Sequence, residues 1–211
     1  MTTVRVPPGR AGRQWLRRRL DSAAHAASLL ERKSRALREE QHRLELQVHH
    51  TGEEWTSAEE AARSWLLRAA MAGGQRGIRL ACTAEQAEVT ITWATSMGVR
   101  YPARAVCALP QAESSLPGST AVVRAAQEHR AALAAAVRHA VAVAALSRVS
   151  AEVDKTRRSV RALRQHWIPR LEEARTRVEL ALEEQESAEG VRHRWAAGRS
   201  SPRGERRQAP Q

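Results

Sequence analysis

Binding a nucleotide's phosphates takes a glycine-rich turn and a lysine that reaches them, and the glycine-rich run Gly73-Gly74-Gln75-Arg76-Gly77 has neither that lysine nor the G-x-x-x-x-G-K-[ST] spacing. It reads as a helix terminator. Metal binding on a helix needs ligands at i and i+4, whereas His49 and His50 are adjacent and face apart. Acid–base work needs two carboxylates across a pocket, and the adjacent pairs Glu53-Glu54, Glu59-Glu60 and Glu172-Glu173 read as solvated helix faces instead. Cys82 and Cys107 have neither a zinc-ligand spacing nor a disulfide framework around them, so both read as reduced structural thiols. Trp55, Trp65 and Trp167 fall where apolar packing is expected rather than in a ligand cage. No catalytic residue, cofactor site or metal site is expected.

Charge narrows the partners. Residues 1–20 hold six Arg and no acid, and residues 190–211 hold six Arg and one Glu, so most of the formal +12 sits at the two ends. A nucleic-acid binder could use such ends as a phosphate footprint, but the six Trp do not gather beside them as stacking platforms. The longest run without a charged side chain, residues 89–99, is far shorter than the roughly 20 residues that span a bilayer. The N-terminus lacks the apolar core of a signal peptide, so a cytoplasmic location is expected.

The elements that would carry any function are long helices. Leu16, Leu20, Ala23, Ala27, Leu30, Ser34, Leu37, Gln41, Leu44, Val48, Thr51, Trp55, Ala58, Ala62, Trp65, Ala69 and Ala72 step by alternating fours and threes. Only Ser34, Gln41 and Thr51 are polar, so the spacing predicts a heptad seam over 1–72 with Gly52 as a weak point. A helix from Arg10 to Met71 would run about 90 Å, too long for a compact domain. The absence of Phe and the abundance of Ala suit thin helical seams.

The pattern changes over 73–118. Val89, Ile91 and Trp93 alternate with Thr90, Thr92 and Ala94, which predicts a short strand, and Pro102, Pro110, Pro117 and Gly118 mark turns, so this span is a β-hairpin-like insert. Ser119 or Thr120 could cap a second helix over 119–195. Its seam is Val153, Thr156, Val160, Leu163, Trp167, Leu171, Ala174, Val178, Ala181, Gln185 and Ala188, interrupted at Pro169, where a kink is expected. Two helices flanking a reversing insert predict a mainly α fold, a long antiparallel two-helix left-handed coiled coil, with a disordered basic tail over 196–211. Taking Arg10 opposite His193 puts Leu30 near Ala174, Leu37 near Trp167 and Leu44 near Val160, facing numbers adding to about 203.

Several motifs carry a resemblance. Pro8-Gly9-Arg10, Leu16-Arg17-Arg18-Arg19-Leu20 and Leu29-Leu30-Glu31-Arg32-Lys33 resemble the opening helix of the D subunit of V/A-type rotary ATPases, usually P-T-R, L-K-x-R-L and L-L-K-x-K. Met97-Gly98-Val99-Arg100-Tyr101-Pro102 looks like that family's M-G-V-x-x-P motif. Thr156-Arg157-Arg158-Ser159-Val160-Arg161-Ala162-Leu163 and Ile168-Pro169-Arg170-Leu171-Glu172 are similar to T-R-R-x-V-N-A-L and I-P-R-L-E, with Arg161 where Asn is usual. The resemblance implies a non-catalytic central rotor that transmits torque to an ion-translocating membrane ring. It also implies three partners: the catalytic A/B hexamer, the small central-stalk F subunit and a socket subunit above the ring. The motif residues Arg10, Arg17, Arg18, Arg19, Met97, Gly98, Val99, Thr156, Arg157, Arg158, Ile168, Pro169 and Arg170 become candidate partner contacts. A generic coiled-coil scaffold shares the heptads but not these motifs. A nucleic-acid-binding helical protein would depend steeply on salt.

Overall fold

The computed structural model describes residues 5–80, 86–110 and 119–199. Cys82, Pro117, Gly118 and most of the expected basic tail, residues 200–211, lie outside them. The order of elements is helix α1 (Gly9–Leu80), strands β1 (Glu88–Ser96) and β2 (Val99–Ala108), helix α2 (Thr120–Ala162), a π-helical segment (Leu163–Trp167) and helix α3 (Ile168–Arg199). The fold is mainly α with a two-stranded antiparallel hairpin between the helices.

The four–three spacing of α1 matches its burial. Leu16, Ala23, Ala27, Leu37, Leu44, Ala62 and Ala69 are buried, and so are the polar seam residues Ser34 and Thr51. Both polar groups are satisfied: Thr51 Oγ1 donates to the Gln47 carbonyl at 2.8 Å, and Arg38 donates to Ser34 Oγ at 3.2 Å. Gly52 stays helical and makes room across the seam. A Cβ there would lie 3.3 Å from His139 Cε1, and His139 also stacks on Trp55 with centroids 5.4 Å apart. In the glycine run only Gly74 leaves helical geometry, at φ 61° and ψ 179°, and α1 resumes beyond it to Leu80.

The chain divides into two compact units, residues 31–158 and the two flanking segments 1–30 and 159–211. In the first, Leu37, Leu44, Ala145, Val149 and Val153 form the core between α1 and α2. Lys33 meets Glu152 at 2.7 Å, Thr51 meets His139 at 3.2 Å and Glu54 meets Arg138 at 3.3 Å. The order is antiparallel, as expected, but facing numbers add to roughly 190 rather than 203. In the other unit the helix ends are not flush either: Arg10, at the start of α1, pairs with Glu186 at 3.1 Å, and α3 continues past it with exposed residues to Ala196. The expected pairing of Leu30 with Ala174 is therefore displaced. Ala174 clusters with Leu16, Ala23 and Leu171.

The second-helix seam contains one irregularity that the structure explains. Leu163, Trp167 and Leu171 are separated by two successive fours, one residue more than the alternation allows. The π segment absorbs that residue: the Ile168 N–H donates to the Leu163 carbonyl, five positions back. Trp167 is accordingly 37% exposed, not a seam residue, while Leu171 and Ala174 are buried. Pro169 follows directly. It has no N–H to give, and a widened turn before it relieves the clash that its ring would make with a preceding carbonyl.

At the start of α2 the Ser119 carbonyl accepts from the Val122 N–H at 2.8 Å, but the Ser119 hydroxyl is buried with no hydrogen bond among the described residues, so it does not act as the expected side-chain cap. The helical stretch Thr120–Ala196 holds an 18-residue window of mean hydropathy 1.4, long and apolar enough by length and composition to cross a membrane. Counting charge-free runs overlooked it because Arg138 interrupts the Ala-rich part. Arg138 and His139 both engage α1, which ties this stretch into the helix pair.

The beginning of the chain supplies a stability test. Val6 packs against the cluster of Leu16, Ala23, Leu171 and Ala174, and a Cβ on Gly12 would lie 2.0 Å from the Pro7 carbonyl oxygen. Gly12→Ala must displace this backbone and is expected to lower stability by about 1–3 kcal/mol. Gly190→Ala, with nothing within 4 Å, should raise it by up to about 1 kcal/mol. Thermal melts of the two variants should shift in opposite directions.

Candidate functional site

The hairpin is closed by the motif that the sequence singled out. Ser96 pairs with Val99, leaving Met97 and Gly98 as a two-residue loop with φ 49° and 80°. Positive φ at both positions is the primed turn whose twist suits a hairpin, and Gly supplies one of them without strain. The Met-Gly-Val motif is thus first a turn: Met97 is 54% exposed at the tip, and Val99 packs inward.

The alternation in β1 predicts a strand, which forms, and its apolar side chains Val89, Ile91 and Trp93 are all exposed by 40% or more. Docking runs mainly through the other strand. Val99, Tyr101 and Ala103 of β2, joined by Ala94 of β1, pack on Leu37, Leu44, Val149 and neighbouring core residues. A bulge between the pairs Thr92↔Arg104 and Trp93↔Pro102 re-aims β2 at this point. The uncovered apolar side chains of the hairpin, with Val106 at 59% exposure, remain open to solvent in this chain.

A polar latch fastens the docked strand. Tyr101 is buried, and its hydroxyl donates to Glu40 Oε1 at 2.5 Å, while Arg43 donates to the same carboxylate at 2.6 Å from Nη2 and 3.0 Å from Nε. The Arg43 bonds, helped by Tyr101, hold the Glu40 carboxyl below its ordinary range against the opposing effect of burial. Burial first, and then the Glu40 carboxylate, push the Tyr101 phenol up. Nearby, the Trp93 ring has Arg100 at 4.9 Å and Arg148 of α2 at 5.2 Å from its centroid. Sequence reading missed this latch. Its trace in the sequence is the Glu40–Arg43 pair at i,i+3, with Tyr101 61 positions from Glu40.

The other motif residues divide by burial. Arg10, Arg17, Arg18, Arg19, Arg157, Arg158 and Arg170 are exposed, whereas Thr156 is buried and Ile168 and Pro169 are half-buried. Thr156 and Ile168 therefore do packing work in this chain, and the arginines are the members exposed to solvent, Arg10 in its ion pair with Glu186. Among the described residues no group of three His, Cys, Asp or Glu could hold a metal ion.

A family model for the ATP synthase D subunit matches residues 13–198, which cover both helices and the hairpin. The chain belongs to the ATP synthase D-subunit family. As a family member it is a stalk component of a rotary ATPase, and the helical architecture with its coiled-coil spacing fits that place. No curated protein matches the sequence. Within the family, Gly9 has φ 71°, a backbone conformation in which the Thr expected from the P-T-R motif would be strained.

Proposed function

We propose that this chain is the central rotor of a V/A-type ATPase or ATP synthase, turning inside the catalytic A/B hexamer and passing torque to the ion-translocating membrane ring without catalysing a reaction itself. Membership of the D-subunit family carries the reading, supported by two long helices and a docked hairpin. A rotor needs stiffness and an affinity for successive catalytic interfaces that changes with angle, not a pocket for chemistry. The small F subunit binds along the helices and a socket subunit receives one end, which makes the protein cytoplasmic and peripheral to the membrane. Co-expression with the catalytic and stalk subunits tests this. One copy should co-purify with each hexamer and restore ion-coupled turnover, while the chain alone should hydrolyse no ATP. A folded chain that never joins the hexamer, or that turns over ATP by itself, contradicts the proposal.

A further inference from the structure

A cleft in the unit formed by the two terminal segments is lined by Arg10, Arg13, Gln14, Arg17, Arg175 and Glu179. Arg10 pairs with Glu186 and Arg175 pairs with Glu179 at 3.6 Å, but Arg13 and Arg17 make no ion pair among the described residues. Like charges converging in a concavity repel unless an anion bridges them. The repulsion is sharpened by position, since these arginines open α1, whose first turn holds no acid and whose N-terminus is already the positive end of the helix dipole.

We propose that this cleft docks an acidic segment of a partner protein, with two or more carboxylates received by Arg13, Arg17 and Arg175 and oriented by the Gln14 amide. Arginine forks bind carboxylates and phosphates alike. The span decides between them: Arg10, Arg13 and Arg17 follow one face of α1 for about 10 Å, which suits a row of carboxylates better than one small oxyanion. The partner rests on the rotor reading, in which the acidic segment lines the sleeve around the terminal helices.

Two measurements test it, one on the chain alone and one on the complex. Titrating a Glu-rich peptide, and separately inorganic phosphate, into the full chain should move the arginine side-chain resonances of Arg13, Arg17 and Arg175, with the peptide binding tighter. In the complex, Arg13→Gln/Arg17→Gln/Arg175→Gln should bind the hexamer roughly tenfold more weakly at low salt and with a flatter salt dependence. Arg→Lys at the same three positions keeps the charge and should keep the salt dependence, which separates lost charge from lost folding. Phosphate binding tighter than the peptide, or a Gln variant with unchanged affinity and salt dependence, overturns the proposal. A wild-type chain that ignores the hexamer overturns the rotor reading alone, because the peptide titration still decides the cleft.

Discussion

Tyr101→Ala should release the hairpin from the helices while leaving α1 and α2 folded. The ring is buried against Leu37 and Leu44, and truncating an aromatic at such a site costs about 3–5 kcal/mol. A two-stranded hairpin is marginal by itself in water, so once undocked the β1 and β2 amides should exchange hydrogen at rates near those of unstructured chain. Tyr101→Phe keeps the ring and removes the hydroxyl bond to the Glu40 carboxylate, a loss of roughly 1.5–3 kcal/mol. Hairpin protection that is unchanged in the Ala variant would show that the latch does not hold the strand.

The pH dependence has a defined sign. Glu40 is held below its ordinary range in the folded chain, so its contribution is present above the ordinary carboxylate range and is lost as pH falls through the lowered value. Tyr101 is raised, so its contribution is present below about pH 10 and is lost as pH climbs through the raised value. In Tyr101→Phe the alkaline arm should vanish, and much of the acid arm should persist, because the bond from Arg43 is the largest influence on Glu40. Glu40→Gln should remove the acid arm.

The helices were legible because a seam writes burial into spacing: every buried residue of α1 on the four–three pattern could be named from the sequence, Ser34 and Thr51 included. Three features were not, each decided by something that spacing omits. The register slipped because it was anchored on helix ends, and α3 overhangs α1. Which side chains dock the hairpin could not be read, because the alternation in β1 shows only that a strand forms, while the packing residue Tyr101 sits in β2 next to a bulge. Gly52 looked like a weakness because the ring that fills its space, His139, is 87 positions away. The family motifs were visible as strings, but their letters serve different ends: Met97-Gly98 makes a turn, Thr156 packs, and Arg157 and Arg158 point outward.

The π segment makes the strongest claim on the second helix. Val160 before it and Leu163 at its first position are half-buried, and Leu171, Ala174 and Val178 after it are buried or half-buried; the extra residue between the two sets is what the π turn accommodates. Deleting Gln165 should remove the extra residue, convert the segment to α-helix and leave Leu163 and Leu171 one heptad apart, so everything after it keeps its phase. Leu171, now 0% exposed, should stay in its cluster, but Pro169 would sit in a regular helix interior. An interior Pro costs about 3 kcal/mol, so the deletion should destabilise this unit by about that much. Combining it with Pro169→Ala should recover the proline part and bring the melt close to that of the unaltered chain. Deleting exposed Ala188, beyond the clustered residues, should cost little. If the Gln165 deletion is no more stable with Pro169→Ala than without it, the π turn is not what absorbs the extra residue.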